Sequence, residues 1–386
     1  MRIISIIPAR GGSKGILRKN IKFLYSKPLI AYSIEQSLKS KLIDDTFVST
    51  EDDEIKIISM KYGAKVINRP PELAIDTSST ESVLLHASKV LNNKFDYMVL
   101  LQPTSPIRYP KQIDEAIELI QKENTDSLLS VYKNESFLWD KNGLSLNYDF
   151  KNRPRRQDKE WEFVENGSIY ITKKETLLND RNRLGGNISF YEMPKWMSFE
   201  VDKLFDFELI KFLMRKKGFF SFKSFIERLK LIIFDVDGVF TDGSVYLNKK
   251  GDELLKFSRI DGKGIELLRN FGLKTAVITS EDSEIIKLRM DKLNINDIFI
   301  GIKDKIKIYT QLKEKYSLQD QDICYLGDDI QDLDIIRKVG FSSCPNNAQL
   351  IIKDSVVYIS PFYGGHGFIR DVCNLIIENK HNSLKY

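Results

Sequence analysis

Short β-forming runs alternate with amphipathic helical stretches through the first half of this chain, and the same alternation begins afresh at Leu231. The first series runs Ile3 to Ile7, Thr46 to Ser49, Lys65 to Ile67, Tyr97 to Leu101 and Ser127 to Val131, with helical patterns such as Leu29 to Leu38 and Thr80 to Leu91 between them. Repetition of strand, helix and strand closes on a mostly parallel sheet covered by helices, so an α/β class is expected. Pro28 stands where a first helical turn tolerates proline, and Thr50 followed by Glu51, Asp52 and Asp53 gives an acidic start that complements the helix dipole. The second series is Leu231 to Phe234, Leu273 to Ile278, Asp297 to Ile300, Ile323 to Leu326 and Val356 to Ile359. A length of 386 residues exceeds what one ordinary core covers. Two domains are therefore expected, 1–222 and 223–386, divided after the helical run Leu204 to Lys217. From Phe137 to Asp202 the alternation weakens into loops, aromatic residues and the strand-like run Gly167 to Thr172, which reads as an insertion or lid. A hairpin-like excursion covers Val245 to Phe257, with Asn248 to Gly251 as its turn.

Composition narrows the function classes. A formal charge of +5, mixed along the sequence, favours small anionic substrates and does not call for nucleic acid. Cys324, Cys344 and Cys373 lack any metal-type spacing and suit buried, reduced thiols in a reducing cytosol. His86, His366 and His381 are too scattered for a zinc site or a histidine-based triad, so carboxylates must carry metal binding. No apolar run approaches the ~20 residues of a membrane helix, and the chain opens on a strand with no leader pattern. A soluble, cytoplasmic protein without a membrane or nucleic-acid partner is expected.

After the first strand comes Ile7-Pro-Ala-Arg-Gly-Gly-Ser-Lys-Gly-Ile-Leu-Arg-Lys-Asn20. Backbone amides of such a glycine-rich turn, at the carboxyl edge of a sheet, can face an anion, and Arg10, Lys14, Arg18 and Lys19 add four cations. A solvated basic surface loop is the plain alternative, and the spacing is not that of a Walker loop. This string, with Gln102-Pro-Thr-Ser-Pro-Ile-Arg108, Arg155-Arg-Gln-Asp158 and Glu165-Asn-Gly-Ser-Ile-Tyr170, resembles the cytidylyltransferases that activate sialic acids and related nonulosonic acids, over residues 1 to about 217. The sugar-binding region formed by the last two of these segments is especially similar to that of animal CMP-sialic acid synthetases. The resemblance implies a Rossmann-like nucleotidyltransferase domain. Arg10 and Lys19 would act on the triphosphate; Gly11, Ser13, Asn20 and Gln102 would join them in binding CTP; Arg156, Gln157 and Asn166 would face the sugar acid. Gln102 and Asn166 can also serve as plain turn caps. Ser198-Phe-Glu-Val-Asp202 falls where the family carries a serine and two alternating aspartates. Residues two apart on an extended segment share a face, so Glu200 and Asp202 could both reach a magnesium ion, although Glu200 departs from the usual aspartate. The implied reaction is attack of a sugar-acid anomeric hydroxyl on the α-phosphorus of CTP with loss of pyrophosphate. No general base is evident.

In the second half, Phe234-Asp-Val-Asp-Gly238 places two carboxylates at a strand end, where one can act as nucleophile and the other can manage protons. Thr279, Lys305 and Gly327-Asp-Asp-Ile-Gln-Asp332 follow at successive strand ends. The ordered set resembles the haloacid dehalogenase superfamily, and residues 229 to 379 most resemble its capless phosphatases acting on 3-deoxy-octulosonate 8-phosphate, which assemble as tetramers. That likeness implies a Rossmannoid domain with Asp235 as nucleophile, Asp237 as acid and base, and Thr279 and Lys305 as phosphate ligands. It also implies magnesium at Asp235, Asp237 and Asp328, supported by Asp329 and Asp332. Gly364-Gly-His-Gly-Phe-Ile-Arg-Asp371 is similar to the tail that closes over substrate in those enzymes, with His366 and Arg370 within reach of an acidic sugar. Arg259 sits one position early relative to their arginine-aspartate pair.

Together these readings predict a bifunctional Mg²⁺ enzyme. One domain would dephosphorylate a nonulosonate 9-phosphate and the other would couple the free acid to CMP, in a homo-oligomer formed as a dimer through the first domain and a tetramer through the second. In the rival expectation the second domain is only an oligomerisation scaffold.

Overall fold

The computed structural model describes every residue except 14, 26, 159–161, 251–252 and 382–386, so Lys14 of the basic loop and Gly251 of the hairpin turn lie outside the described residues. The chain forms two compact units, Met1–Phe219 and Phe220–Tyr386. This division falls ahead of the boundary expected at 222. Phe222 packs edge-on against Phe341 at 6.0 Å and Tyr358 at 5.5 Å, which ties the aromatic connection to the second unit.

The first unit contains β1 (Ile3–Pro8), a short ribbon of β2 (Phe23–Leu24) and β3 (Lys27–Pro28), then β4 (Asp45–Thr50), β5 (Lys65–Asn68), β6 (Tyr97–Leu101), β7 (Ser127–Asn134), β8 (Glu162–Lys173) and β9 (Ile188–Glu192). Seven of these make one sheet in the order β5-β4-β1-β6-β8-β7-β9. Strand β1 runs parallel to β4 and β6, whereas β8 runs antiparallel to both β6 and β7. In β1, Ile3, Ile4, Ile6 and Ile7 are all buried, as a strand covered on both faces requires. Each such side chain removed from water contributes about 1.5–3 kcal/mol. Helix Leu29–Leu38 begins directly after Pro28, and Asp52 caps helix Asp53–Lys61 by accepting from the Ile55 amide. A cap of this kind stabilises by about 1 kcal/mol.

The strand-like run Gly167 to Thr172 is a strand, and this part of the Phe137–Asp202 region is built into the sheet rather than set apart as an insertion or lid. It belongs to β8, which lies between β6 and β7 well inside the sheet, with Leu100 opposite Tyr170. Residues Asn166 to Thr172 are all buried, as a strand covered on both faces requires. The pairing of β7 with β8 shifts register between Leu129 and Val131, where Asn166 to Ile169 of β8 stand against Ser130 alone, so the extra residues bulge from β8.

The second unit has β10 (Leu231–Phe234), an antiparallel ribbon of β11 (Tyr246–Leu247) and β12 (Glu253–Leu254), then β13 (Lys274–Ile278), β14 (Asp297–Phe299), β15 (Ile323–Leu326), β16 (Phe341–Cys344) and β17 (Tyr358–Ile359). Its main sheet has the order β14-β13-β10-β15-β16-β17, parallel throughout. Strand β16 is not among the expected strands, yet Phe341-Ser-Ser-Cys344 pairs in the sheet with Ser342 and Ser343 buried. Leu231, Ile233, Ala276, Ile278 and Tyr325 build its core. All three cysteines are buried and free, and among the described residues no helix is long and apolar enough to cross a membrane.

Candidate active sites

In the first unit the Arg10–Asn20 loop leaves the carboxyl end of β1, Gln102 follows β6, and helix Thr80–Val90 points its first turn between them. These elements enclose a cleft of about 550 Å³ lined by Arg10, Ser13, Lys19, Asn20, Gln102 and Asp202, among others. Strand ends and a helix N-terminus are where an α/β sheet offers donors to an anion. Arg10 Nη1 lies 2.9 Å from Asp76 Oδ1. Lys19 Nζ donates to the Val201 carbonyl at 2.8 Å and to Asp202 Oδ1 at 3.2 Å. Asn20 is buried and donates from Nδ2 to the Arg10 carbonyl at 2.9 Å, so it shapes the loop from within.

Arg18 does not join the expected basic cluster. Its φ of +56° turns it toward the acidic helix start, where it pairs with Asp52 and Glu54, and that pairing holds the Asp52 carboxyl below its ordinary range. The Gly11 amide donates to Glu51 Oε1 at 2.7 Å, and a Cβ at Gly11 would lie 2.5 Å from Asp52 Oδ2, which explains the glycine.

Asp202 lines the cleft, while Glu200 accepts from Ser105 Oγ at 3.1 Å beneath Gly167, where a Cβ would meet Glu200 Oε1 at 1.9 Å. Burial pushes the Glu200 carboxyl up, and the neighbouring Asp202 charge adds to the shift. Of the two acids only Asp202 faces the cleft, beside Lys19, and it is a hard-oxygen donor of the kind magnesium takes.

The sugar-facing residues expected from sequence are dispersed. Arg156 and Gln157 occupy a short exposed turn, Arg156–Asp158, and do not line the cleft. Asn166 is buried and its amide is committed internally: Oδ1 accepts from Ser130 Oγ at 2.6 Å and from the Ser168 amide at 3.1 Å, and Nδ2 donates to Ser198 Oγ at 3.2 Å. Asn166 therefore ties β7, β8 and the Ser198–Asp202 segment together rather than facing a ligand.

Arg69 escaped the sequence reading. It follows β5 directly, is buried, lines the cleft and donates from Nε to Ser49 Oγ at 3.3 Å. Burial lowers its pKa from the ordinary arginine value. Its place just beyond a strand end was the available signal, but the following Pro70-Pro71 reads as a turn.

In the second unit Asp235 follows β10, Thr279 follows β13, Lys305 opens helix Lys305–Tyr316, and Asp328 follows β15. Asp235, Asp328 and Asp332 bring carboxylate oxygens within 4.8 Å of one another, and among the described residues no other group of three or more acids, histidines or cysteines comes together in this way. An all-carboxylate set of this kind fits Mg²⁺. The Asp237 side chain stands outside the trio, accepting from Thr241 Oγ1 at 3.4 Å, while Asp332 takes the place expected of it. Lys305 Nζ sits 2.8 Å from Asp332 Oδ1, which also accepts from Tyr325 Oη at 2.7 Å. Burial and the Asp332 charge raise the Asp235 carboxyl far above its ordinary range; burial, with Asp332 and Asp329, brings Asp328 to about 7. Burial and Glu281 raise Asp237, which favours a proton-bearing role. Thr279 is buried, and its Oγ1 accepts from the Glu281 amide at 3.2 Å.

His366 turns its Nε2 to Lys256 Nζ at 3.0 Å, and Arg370 donates from Nε to Asn374 at 2.9 Å. Asp261 accepts from the Gly367 and Arg370 amides at 3.1 and 2.9 Å and so pins the tail at the start of helix Phe368–His381.

A cytidylyltransferase family model matches residues 4–232. An N-acylneuraminate cytidylyltransferase A from Danio rerio is 32% identical over 99% of this chain and 90% of its own length. The N-acylneuraminate cytidylyltransferase of an Escherichia coli strain is 35% identical over 56% of this chain and 53% of its own length. Among solved structures, a 3-deoxy-D-manno-octulosonate 8-phosphate phosphatase from Moraxella catarrhalis, in complex with magnesium, phosphate and KDO, is 32% identical. That match covers 42% of this chain and 92% of that one, with a TM-score of 0.41.

Proposed function

This chain belongs to the cytidylyltransferase family, and on that premise we propose that it is a two-site enzyme acting on a nonulosonic acid. Its first unit transfers CMP from CTP to the anomeric hydroxyl of a sialic acid or related sugar acid and releases pyrophosphate. Its second unit hydrolyses a sugar-acid phosphate, expected to be the 9-phosphate of the same acid.

The observation that supports the first half is the convergence of Arg10, Lys19 and Asp202 on one cleft beside Gln102, in a chain matched over 99% of its length by a named N-acylneuraminate cytidylyltransferase. Arg10 and Lys19 stand with carboxylate partners that a triphosphate would replace, so charge on the leaving pyrophosphate meets cations already in place. Gly11, Ser13 and Gln102, with Asn20 shaping the loop from within, complete the nucleotide loop, and Arg156 with Gln157, which stand on an exposed turn outside the cleft, are proposed for the sugar carboxylate on the sequence resemblance alone.

The second half is supported by the buried cation between two acids. Asp235 attacks phosphorus, the ester oxygen leaves with a proton from Asp237, and the aspartyl phosphate is then hydrolysed by water that gives its proton back to Asp237. Lys305 and Thr279 hold the phosphoryl oxygens. Magnesium, held by Asp202 with Glu200 in one unit and by Asp235, Asp328 and Asp332 in the other, would supply neutralisation of phosphate charge. A unit that served only as scaffold would have no need to bury Lys305 against two carboxylates.

Assembly through both units is part of the proposal, supported in the second by the exposed apolar residues Tyr246, Leu247 and Leu254 of the β11–β12 ribbon. Three buried, free cysteines support a cytoplasmic setting. The decisive assay supplies CTP, Mg²⁺ and a panel of free and phosphorylated sugar acids, and follows pyrophosphate and phosphate separately. Absence of pyrophosphate with every free acid defeats the first assignment, and absence of phosphate from every ester defeats the second.

A further inference from the structure

Arg108 is the largest fully buried side chain among the described residues, and none of those residues places a carboxylate at ion-pairing distance from it. Its hydrogen bonds go to neutral acceptors on three separate segments. Nε donates to Gln36 Oε1 at 2.8 Å and Nη2 to Ser33 Oγ at 2.7 Å, both on helix Leu29–Leu38. The same Nη2 donates to the Gln102 carbonyl at 2.7 Å, and Nη1 donates to the Ser168 carbonyl of β8. Gln36 in turn donates to the Pro106 carbonyl at 2.7 Å, which closes the loop onto the helix a second time.

A buried cation with only neutral partners is a poor choice for stability, since an apolar side chain of similar volume avoids its desolvation. The guanidinium earns its place by shape: a rigid, planar fork of donors reaches acceptors on three elements at once, which neither lysine nor methionine can do. Burial brings its pKa down to about 9 against the opposing effect of the Glu200 carboxylate, so it stays charged at neutral pH.

What Arg108 holds is one wall of the cleft. Gln102, Pro103 and Thr104 line it, the Thr104 carbonyl accepts the Val201 amide at 2.8 Å, and Ser105 Oγ donates to Glu200. The segment carrying Glu200 and Asp202 is thus hung on a loop whose first carbonyl is fixed by Arg108. We propose that Arg108 is a positioning residue for nucleotide selection, setting the Gln102–Ser105 wall of the cleft so that Gln102 and the Glu200–Asp202 segment meet one nucleotide in a single register. This rests on the reading of the first unit as a CTP-dependent transferase.

The test uses the full-length chain and the variants Arg108→Lys and Ser33→Ala, with pyrophosphate release measured against CTP and UTP at saturating sugar acid. Arg108→Lys is expected to raise KM for CTP about tenfold or more, the order associated with losing a hydrogen bond from a charged donor. The ratio of kcat/KM for CTP to that for UTP should fall, and Ser33→Ala should shift both quantities in the same direction to a smaller degree. A merely architectural residue would lower the fraction of active molecules, and hence the maximal rate, while leaving KM and the CTP to UTP ratio unchanged; that result overturns the proposal. Should Arg108→Lys not fold, Ser33→Ala decides by the same two quantities. Wild-type protein that releases no pyrophosphate from CTP defeats the transferase reading and this proposal with it, whereas an active wild type with unaltered variants defeats this proposal alone.

Discussion

Lys305 Nζ lies 2.9 Å from Asp235 Oδ2, and each side chain is 2% exposed. The contact is one of charge: Asp235 Oδ2 accepts no aligned hydrogen bond from the described residues, while Oδ1 takes the Val236 amide at 2.7 Å. One oxygen is therefore steered by the backbone and the other is left free beside a cation, as a carboxylate that must attack phosphorus requires.

Replacing Lys305 by methionine would leave Asp235 and Asp332 buried without their shared cation. Breaking such a buried pair from one side costs about 3–5 kcal/mol. A lowered melting temperature is expected, with phosphate release reduced about 10²-fold or more. Calorimetry and a phosphate assay check the two effects, and a variant with wild-type phosphate release would remove Lys305 from the site.

The two reactions should separate by mutation. Asp235→Asn is expected to abolish phosphate release and spare pyrophosphate release; Arg10→Ala should cut pyrophosphate release about 10²-fold and spare the phosphatase. Parallel assays on one preparation decide the matter, and loss of both activities in either variant would contradict independent sites.

Gly238 has a φ of +71°, and a Cβ there would lie 2.0 Å from Asp328 Oδ2. Gly238→Ala should displace the Asp328 carboxylate and lower phosphate release at least tenfold at limiting Mg²⁺. Gly243 offers the control: its φ is +77°, yet the nearest atom to a Cβ is the Gly238 amide nitrogen at 3.9 Å. Gly243→Ala then carries mainly the backbone cost of about 1–2 kcal/mol, measurable by melting, with activity largely retained.

Asp328 reaches about 7 through burial beside Asp332 and Asp329, so protons compete with an ion for it near neutrality. Raising the pH from about 6 to about 8 should tighten apparent Mg²⁺ binding in the phosphatase assay, by up to about tenfold per pH unit for one proton displaced. In the metal-free protein the sign for stability is opposite. The unfolded state gives up this proton near ~4 and the folded state near 7, so the folded form binds more protons in between and Asp328's contribution to stability falls as pH rises through that window. Melting in a chelator, compared with Asp328→Asn, isolates that slope; a metal affinity that does not change with pH would refute the assignment.

Much of the fold and part of each candidate site were legible because they rest on local pattern. Consecutive buried positions in β1 and β10, the proline and acid at helix starts, and carboxylates or glycines directly after a strand are all fixed within a few residues of chain. By itself the sequence therefore determined two α/β units, a phosphate-type loop after β1 and paired acids after β10. Only the tertiary structure decided which neighbours those residues meet. It drew Arg18 away to Asp52, committed Asn166 to Ser130 and Ser198, set the strand Gly167 to Thr172 between β6 and β7 instead of in a separate insertion, and placed Asp332 with Asp235. Each of these outcomes depends on partners dozens of residues distant or on burial of both faces of a strand. Local propensity carries no record of such partners, because their energy exists only once the sheet has assembled.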